Sequence, residues 1–205
     1  MDEGTALLLS AAAGLGETGY AGDSLLPGWT RKHLVAHVAA NADAVGNLVR
    51  WAATGVETPM YASPQERAAG IAKGPTLSAK ELDAWLRASA ERLAASMDDL
   101  AEAAWQHEVV TAQGRTVPAA ETPWMRAREV CVHAVDLDLG VTFADLPAGF
   151  NEALCADIRA LRRTRGAGMS ELPAQVAGAP LHEITAWLAG RPHHLADAPE
   201  LGPWL

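Results

Sequence analysis

Apolar positions recur at helical spacing through most of the first 140 residues or so. From Thr30 to about Thr54 the inward positions are Leu34, His37/Val38, Asn41, Val45, Leu48 and Trp51/Ala52. Thr30 is placed to cap this helix, and Gly55 stops it at a position that favours a left-handed residue. A first amphipathic helix is expected from about Asp2 to Leu15, followed by a loop through Gly22. Residues 56–77 form a long polar connection broken by Pro59, Pro64 and Pro75, with a short helix expected at Gln65–Lys73. Ser78 and Glu81 make a capping box that opens a long helix to about Ala104. His107–Thr111 and Thr116–Pro118, separated by Gln113-Gly114-Arg115, read as a small hairpin. Pro123 and Gly140 bracket a strong helix over Trp124–Leu139.

These helices predict an antiparallel four-helix bundle over residues 1–145. The remainder, 146–205, is expected to be a small α+β region. It should have helices near Asn151–Thr164 and Leu181–Ala189, with Gly/Pro-interrupted chain between and after them. The fold class is therefore mainly α, with a minor C-terminal α+β appendage.

Composition narrows the function. With 49% hydrophobic residues in 205, a packed core is within reach. No run of about eighteen apolar residues exists, so no membrane span is expected. Two acids stand where a signal peptide would carry basic residues, and the expected location is cytoplasmic. The formal charge of −9 argues against nucleic acid as a partner. Basic residues are dispersed, apart from Arg159, Arg162, Arg163 and Arg165. Cys131 and Cys155 lie far apart in apolar helical patterns, as buried thiols do in a reducing compartment.

Two polar pairs interrupt the apolar helical patterns: His33 with His37, and Glu129 with His133. Residues four apart on an α-helix stand one turn above each other, about 40° apart around the axis. Glu129 and His133 can thus enter the same small volume of a bundle core. A carboxylate and an imidazole there are costly unless satisfied, and a divalent metal satisfies both. One imidazole from a facing helix would complete three ligands and leave a position open for chemistry. The Glu129–His133 pair also has a plainer reading as a surface contact and the His33–His37 pair as one core and one exposed histidine, and spacing alone does not choose between His33 and His37. Asn41, Asp43 and Asp136 are placed either to orient ligands or to be solvated. His107, His182 and the His193-His194 pair read as structural or exposed, and Trp29, Trp51 and Trp124 as core.

The segments LLPGWTRKHLVAHVAANADAVGNLVRWAATGVETPMYASPQER (25–67) and PWMRAREVCVHAVDLDLG (123–140) resemble the mycothiol-dependent maleylpyruvate isomerase family. That family belongs to the DinB-like metal-binding four-helix bundles. The resemblance covers about the first 145 residues and implies that His37, Glu129 and His133 bind the metal, with His33 left outside the ligand set. Near the C-terminus Trp187–Arg191 is also similar, which implies that Arg191 is a catalytic arginine; the plainer reading is that it complements a helix end. By the same resemblance the cofactors are a divalent metal, zinc above all, and mycothiol as thiol. The implied reaction adds a metal-activated thiolate to the cis double bond of maleylpyruvate, giving fumarylpyruvate after rotation and thiol loss. The expected partners are a small dianionic substrate and the thiol, and the expected state is a monomer. Arg191 would clamp a substrate carboxylate, with Arg67 and Arg126 as further candidates. A mycothiol S-transferase with the same metal site is the alternative. A non-catalytic, metal-stabilised regulatory bundle would instead show a fourth ligand or a large exposed apolar helix face, and the sequence shows neither.

Overall fold

The structure, a computed structural model, describes residues 1–164, 171–202 and 204. It divides into two compact units, Met1–Leu139 and Gly140–Leu205. The first unit contains helices α1 (Asp2–Ala12), α2 (Glu17–Ala21), α3 (Arg31–Thr54), α4 (Pro64–Lys73), α5 (Ala79–Asp98) and α6 (Thr122–Asp136). Strands β1 (Glu108–Val110) and β2 (Thr116–Pro118) pair antiparallel, with Val109 opposite Val117. This is the expected hairpin. Among the described residues no helix is long and apolar enough to cross a membrane.

Four of these helices close into a bundle. α3 packs on α5 and α6, and α1 also packs on α5 and α6. The central helix α3 is the longest because its ends are well defined. Thr30 and His33 form a capping box at its start, and Gly55 adopts φ +71° at its end. Its buried face runs through Leu34, Val38, Val45, Leu48 and Ala52, each no more than 1% exposed. α5 begins at the Ser78–Glu81 capping box but stops at Asp98, short of the expected Ala104. Asp98 and Asp99 oppose the partial negative charge of a helix C-terminus, and a separate 3₁₀ turn follows at Glu102–Gln106. α1 likewise ends at Ala12, and the expected loop after it contains the short α2. At Gly4 any side chain would collide with Cys131, so glycine is what lets α1 approach α6 closely.

Two arginines fix the antiparallel register of α3 against α6. From α3, Arg31 donates through Nε to the Leu137 carbonyl at 2.6 Å and through Nη2 to the Asp138 carbonyl at 3.0 Å. Carbonyls at a helix C-terminus have no partner within the helix, so a cation there satisfies both geometry and dipole. From α6, Arg126 donates through Nη1 to the Val38 carbonyl at 2.8 Å and to Asn41 Oδ1 at 2.9 Å. Between these clamps lie His37 on α3 and Glu129 and His133 on α6.

The second unit holds α7 (Ala148–Thr164) and α8 (Leu181–Leu188), packed together. The expected strand component is not found among its described residues, where Pro173 and Pro180 punctuate turns between the helices. Arg165 of the basic cluster lies outside the described residues. Arg162 is turned inward, donating to the Leu188 carbonyl at 3.1 Å and the Gly202 carbonyl at 2.8 Å.

Leu86 of α5 is fully enclosed. Leu86→Ala should lower unfolding free energy by about 2–5 kcal/mol in urea titrations, with the denaturant slope unchanged. A loss below about 1 kcal/mol would mean that this position does not bear on a close-packed core.

Candidate metal centre

His37, Glu129 and His133 offer three ligand atoms that all lie within 4.8 Å of one another. Each arrives by a separate structural cause. His37 is on the α3 turn held by Arg126, and only 8% of its side chain is exposed. Glu129 and His133 are one turn apart on α6. Glu129 Oε2 is 3.0 Å from His37 Nε2 and 3.4 Å from His133 Nε2, so both imidazoles converge on one carboxylate oxygen.

The other nitrogen of His133 is also committed. Its Nδ1 donates to Asp136 Oδ2 at 2.9 Å, and Asp136 is fully buried. This decides between the two readings of Asp136: it orients an imidazole, fixing the tautomer that leaves Nε2 facing Glu129. Trp29 packs edge-on against His37 with ring centroids 5.5 Å apart, and the two imidazole rings are 5.1 Å apart.

Electrostatics follow from this crowding. Burial favours the neutral form of Glu129, but hydrogen bonds from His133 and His37 outweigh it and hold the carboxyl well below its ordinary range. For His133, burial acts to lower the pKa. The hydrogen bonds to Asp136 and Glu129 overcome that and raise it to about 9. Burial lowers the Arg126 guanidinium to about 10, opposed by Glu129, Asp43 and Tyr61, so it stays charged at neutral pH. The set is therefore an ionised carboxylate between His37 and a protonated His133, backed by a buried cation. Two nitrogens and one oxygen at this spacing fit a divalent ion, and Asp136 supplies the supporting bond that metal-bound histidines characteristically have.

The other expected residues divide clearly. His33 is not in the cluster: its Nδ1 is spent on the helix cap, 3.2 Å from Thr30 N and 2.8 Å from Thr30 Oγ1. Asn41 holds Arg126, whereas Asp43 faces outward to Arg92 at 2.8 Å and the Trp85 indole at 3.0 Å. Arg126 is 1% exposed, and its Nη1 is committed to Val38 and Asn41 in the bundle interior. Trp29, expected in the core, is half-buried beside the triad. Trp51 is half-buried against the core, and Trp124 is half-buried beside Arg128. His107 bonds the Ala52 carbonyl at 2.6 Å, and His194 bonds Glu183 at 3.0 Å. Arg191 belongs to the second unit. It follows Gly190, whose φ is +65°, and its Nη1 donates to the Ala189 carbonyl at 2.8 Å. The roles of Trp29 and Arg126 were missed because nothing in local spacing distinguishes a site-facing tryptophan or a buried arginine from its neighbours.

Ion binding at this centre must displace the proton that His133 carries below about pH 9. Affinity for a divalent ion should therefore rise about tenfold per pH unit from pH 6 to 8, with about one proton released per ion. Chelator competition at several pH values, with proton release measured calorimetrically in two buffers, checks this. A pH-independent affinity would contradict it.

Residues 1–138 match the family model described as the mycothiol maleylpyruvate isomerase N-terminal domain. No curated protein matches the chain. Among solved structures, the chain is similar to the crystal structure of a mycothiol-dependent maleylpyruvate isomerase. The TM-score is 0.90 at 40% identity, covering 98% of this chain and 92% of that one. It is also similar to the structure of a histidine-to-alanine mutant of a protein of that name, with TM-score 0.83, 38% identity, and coverage of 97% and 92%.

Proposed function

The chain belongs to the mycothiol maleylpyruvate isomerase family, and from that premise we propose that it catalyses mycothiol-dependent isomerisation of maleylpyruvate to fumarylpyruvate. The convergence of His37, Glu129 and His133 is the observation that carries this reading. In the proposed reaction the mycothiol thiolate adds to the cis double bond and leaves a single bond that can rotate. Loss of the same thiolate then restores the double bond in the trans geometry. The thiol is regenerated, so atoms and electrons balance without an oxidant.

The chain's own thiols are unsuited to this work. Burial pushes Cys131 up to about 11 and raises Cys155 as well, so neither supplies a thiolate at neutral pH. An external thiol is required. A divalent ion, zinc in our reading, would be held by His37, Glu129 and His133 and, when bound, would supply a Lewis acid that favours the thiolate over the thiol.

The remaining work falls to the protein. Asp136 holds the His133 ring so that Nε2 is presented as a donor atom. Arg126 keeps the α3 turn bearing His37 in register with Glu129, and its charge favours an ionised carboxylate there. Trp29 covers one edge of His37 and limits water at that side. The substrate is a dianion, and in this reading Arg191 is the catalytic arginine that holds one of its carboxylates. The working form is taken to be a monomer.

Incubation with maleylpyruvate and mycothiol, followed by absorbance of the trans product, tests the proposal. Wild type should turn over only with the thiol present, and His37→Ala should lose both the ion and at least about 1,000-fold in kcat/KM. Arg191→Ala should lose rate while keeping the bound ion and the thermal midpoint of wild type. Full activity in a metal-free His37→Ala protein would refute the mechanism. Consumption of mycothiol into a stable adduct would favour the S-transferase reading.

A further inference from the structure

The chain from Gly55 to Ser63 contains Pro59 and has no helical or strand periodicity, yet it is held firmly. The Asn47 side-chain amide on α3 donates to the carbonyls of Pro59 and Met60, each at 3.3 Å. Met60 is buried with Val45, Leu48 and Val109, and the Ala112 amide donates to its sulfur at 3.3 Å. Tyr61 therefore sits on an anchored segment. From there α4 runs back along α3. A Cβ at Gly70 would lie 3.6 Å from the Ala40 side chain, and one at Gly74 would meet the Lys32 carbonyl at 2.5 Å.

This connection borders a cleft of about 320 Å³, lined by Trp51, Met60, Tyr61, Ser63, Arg67 and Thr111 among others. Arg67 is exposed and lines the cleft together with Tyr61, and its charge acts on the Tyr61 hydroxyl. The connection is tied to the triad through α4, which packs on the α3 turns either side of His37: a Cβ at Gly70 would meet Ala40, and one at Gly74 would meet Ala36. Burial raises the Tyr61 hydroxyl, so it keeps its proton and remains a donor at neutral pH. The start of α4 is already satisfied: Ser63 Oγ accepts from the Glu66 amide at 3.1 Å, and the Glu66 carboxylate takes the Ala62 amide. What the cleft offers is a planar guanidinium beside a hydroxyl. These are donors that match a carboxylate.

We propose that Tyr61 and Arg67, carried on the α3–α4 connection, form a recognition pair for a carboxylate of the dicarboxylate substrate and set specificity for it. The assignment rests on the isomerase reading for the identity of that substrate. It gives the connection a function that helix packing alone does not require. Glu57 also lines the cleft, and its charge opposes an anion there, which the Arg67 guanidinium has to offset.

The test is steady-state kinetics of the metal-loaded full chain, varying maleylpyruvate and mycothiol separately, for wild type, Arg67→Met, Arg67→Lys and Tyr61→Phe. Arg67→Met should raise KM for maleylpyruvate about 10- to 100-fold, as loss of a charge-assisted bond does. KM for mycothiol, ion content and thermal midpoint should stay at wild-type values. Arg67→Lys should recover part of the loss, and Tyr61→Phe should raise the same KM about three- to tenfold. Calorimetric titration with maleate gives a readout independent of turnover, and Arg67→Met should weaken it at least about tenfold. An unchanged maleylpyruvate KM together with unchanged maleate binding in Arg67→Met would overturn the assignment while leaving the isomerase reading intact. So would an effect confined to mycothiol. A wild type that binds maleate through Arg67 but does not isomerise maleylpyruvate would support the pair and overturn the isomerase reading instead.

Discussion

The antiparallel register of α3 against α6 is the constraint on which the site depends. Arg31 ties the start of α3 to the carbonyls that end α6, and Arg126 ties α6 back to Val38 and Asn41. Sliding one helix by a turn, about 5.4 Å, would separate His37 from Glu129 altogether. Each clamp uses a cation where the backbone already offers unpaired carbonyls or a side-chain acceptor. Burial of Arg126 is expensive in isolation, and the neighbouring Glu129 carboxylate reduces that cost. The Arg126 charge that holds the helices together therefore also favours an ionised Glu129.

Much of this bundle is visible in the sequence because its helices carry strong end signals. Thr30, Gly55 and the Ser78–Glu81 box all perform the roles their residue types suggest. The pairing of Glu129 with His133 is likewise legible, since one turn of helix brings them together whatever the tertiary context. The choice between His33 and His37 is not legible from spacing. It depends on His33 acting as the partner of the Thr30 cap, a role more often filled by Glu or Gln. The family resemblance selected His37, and the structure supplies the physical reason that His33 is occupied elsewhere.

Tertiary facts were less accessible. From sequence Arg126 is a candidate substrate clamp, and only the path of α3 beside it reveals a buried donor to Val38. Trp29 reads as core because tryptophans usually are, but the turn at Leu26–Trp29 sets its ring against His37. The end of α5 at Asp98 was masked by continuing apolar residues, whose pattern does not register the cost of acids in a last helical turn. In the second unit, Gly/Pro punctuation suggested strands. The described chain makes turns between two helices, since short segments lacking β-branched runs have little to pair with. Arg191 shows the limit of both approaches: its residue type suits carboxylate binding, and its local bonds suit a helix end.

The central claim is that the triad holds an ion with a position open to an external thiol. X-ray absorption at the zinc edge of the zinc-loaded protein, recorded before and after addition of mycothiol, tests it most directly. The account predicts only nitrogen and oxygen neighbours at about 2.0–2.2 Å at first, then one sulfur at about 2.3 Å once the thiol is added. A zinc environment that mycothiol leaves unchanged, or one that contains protein sulfur from the outset, would contradict it.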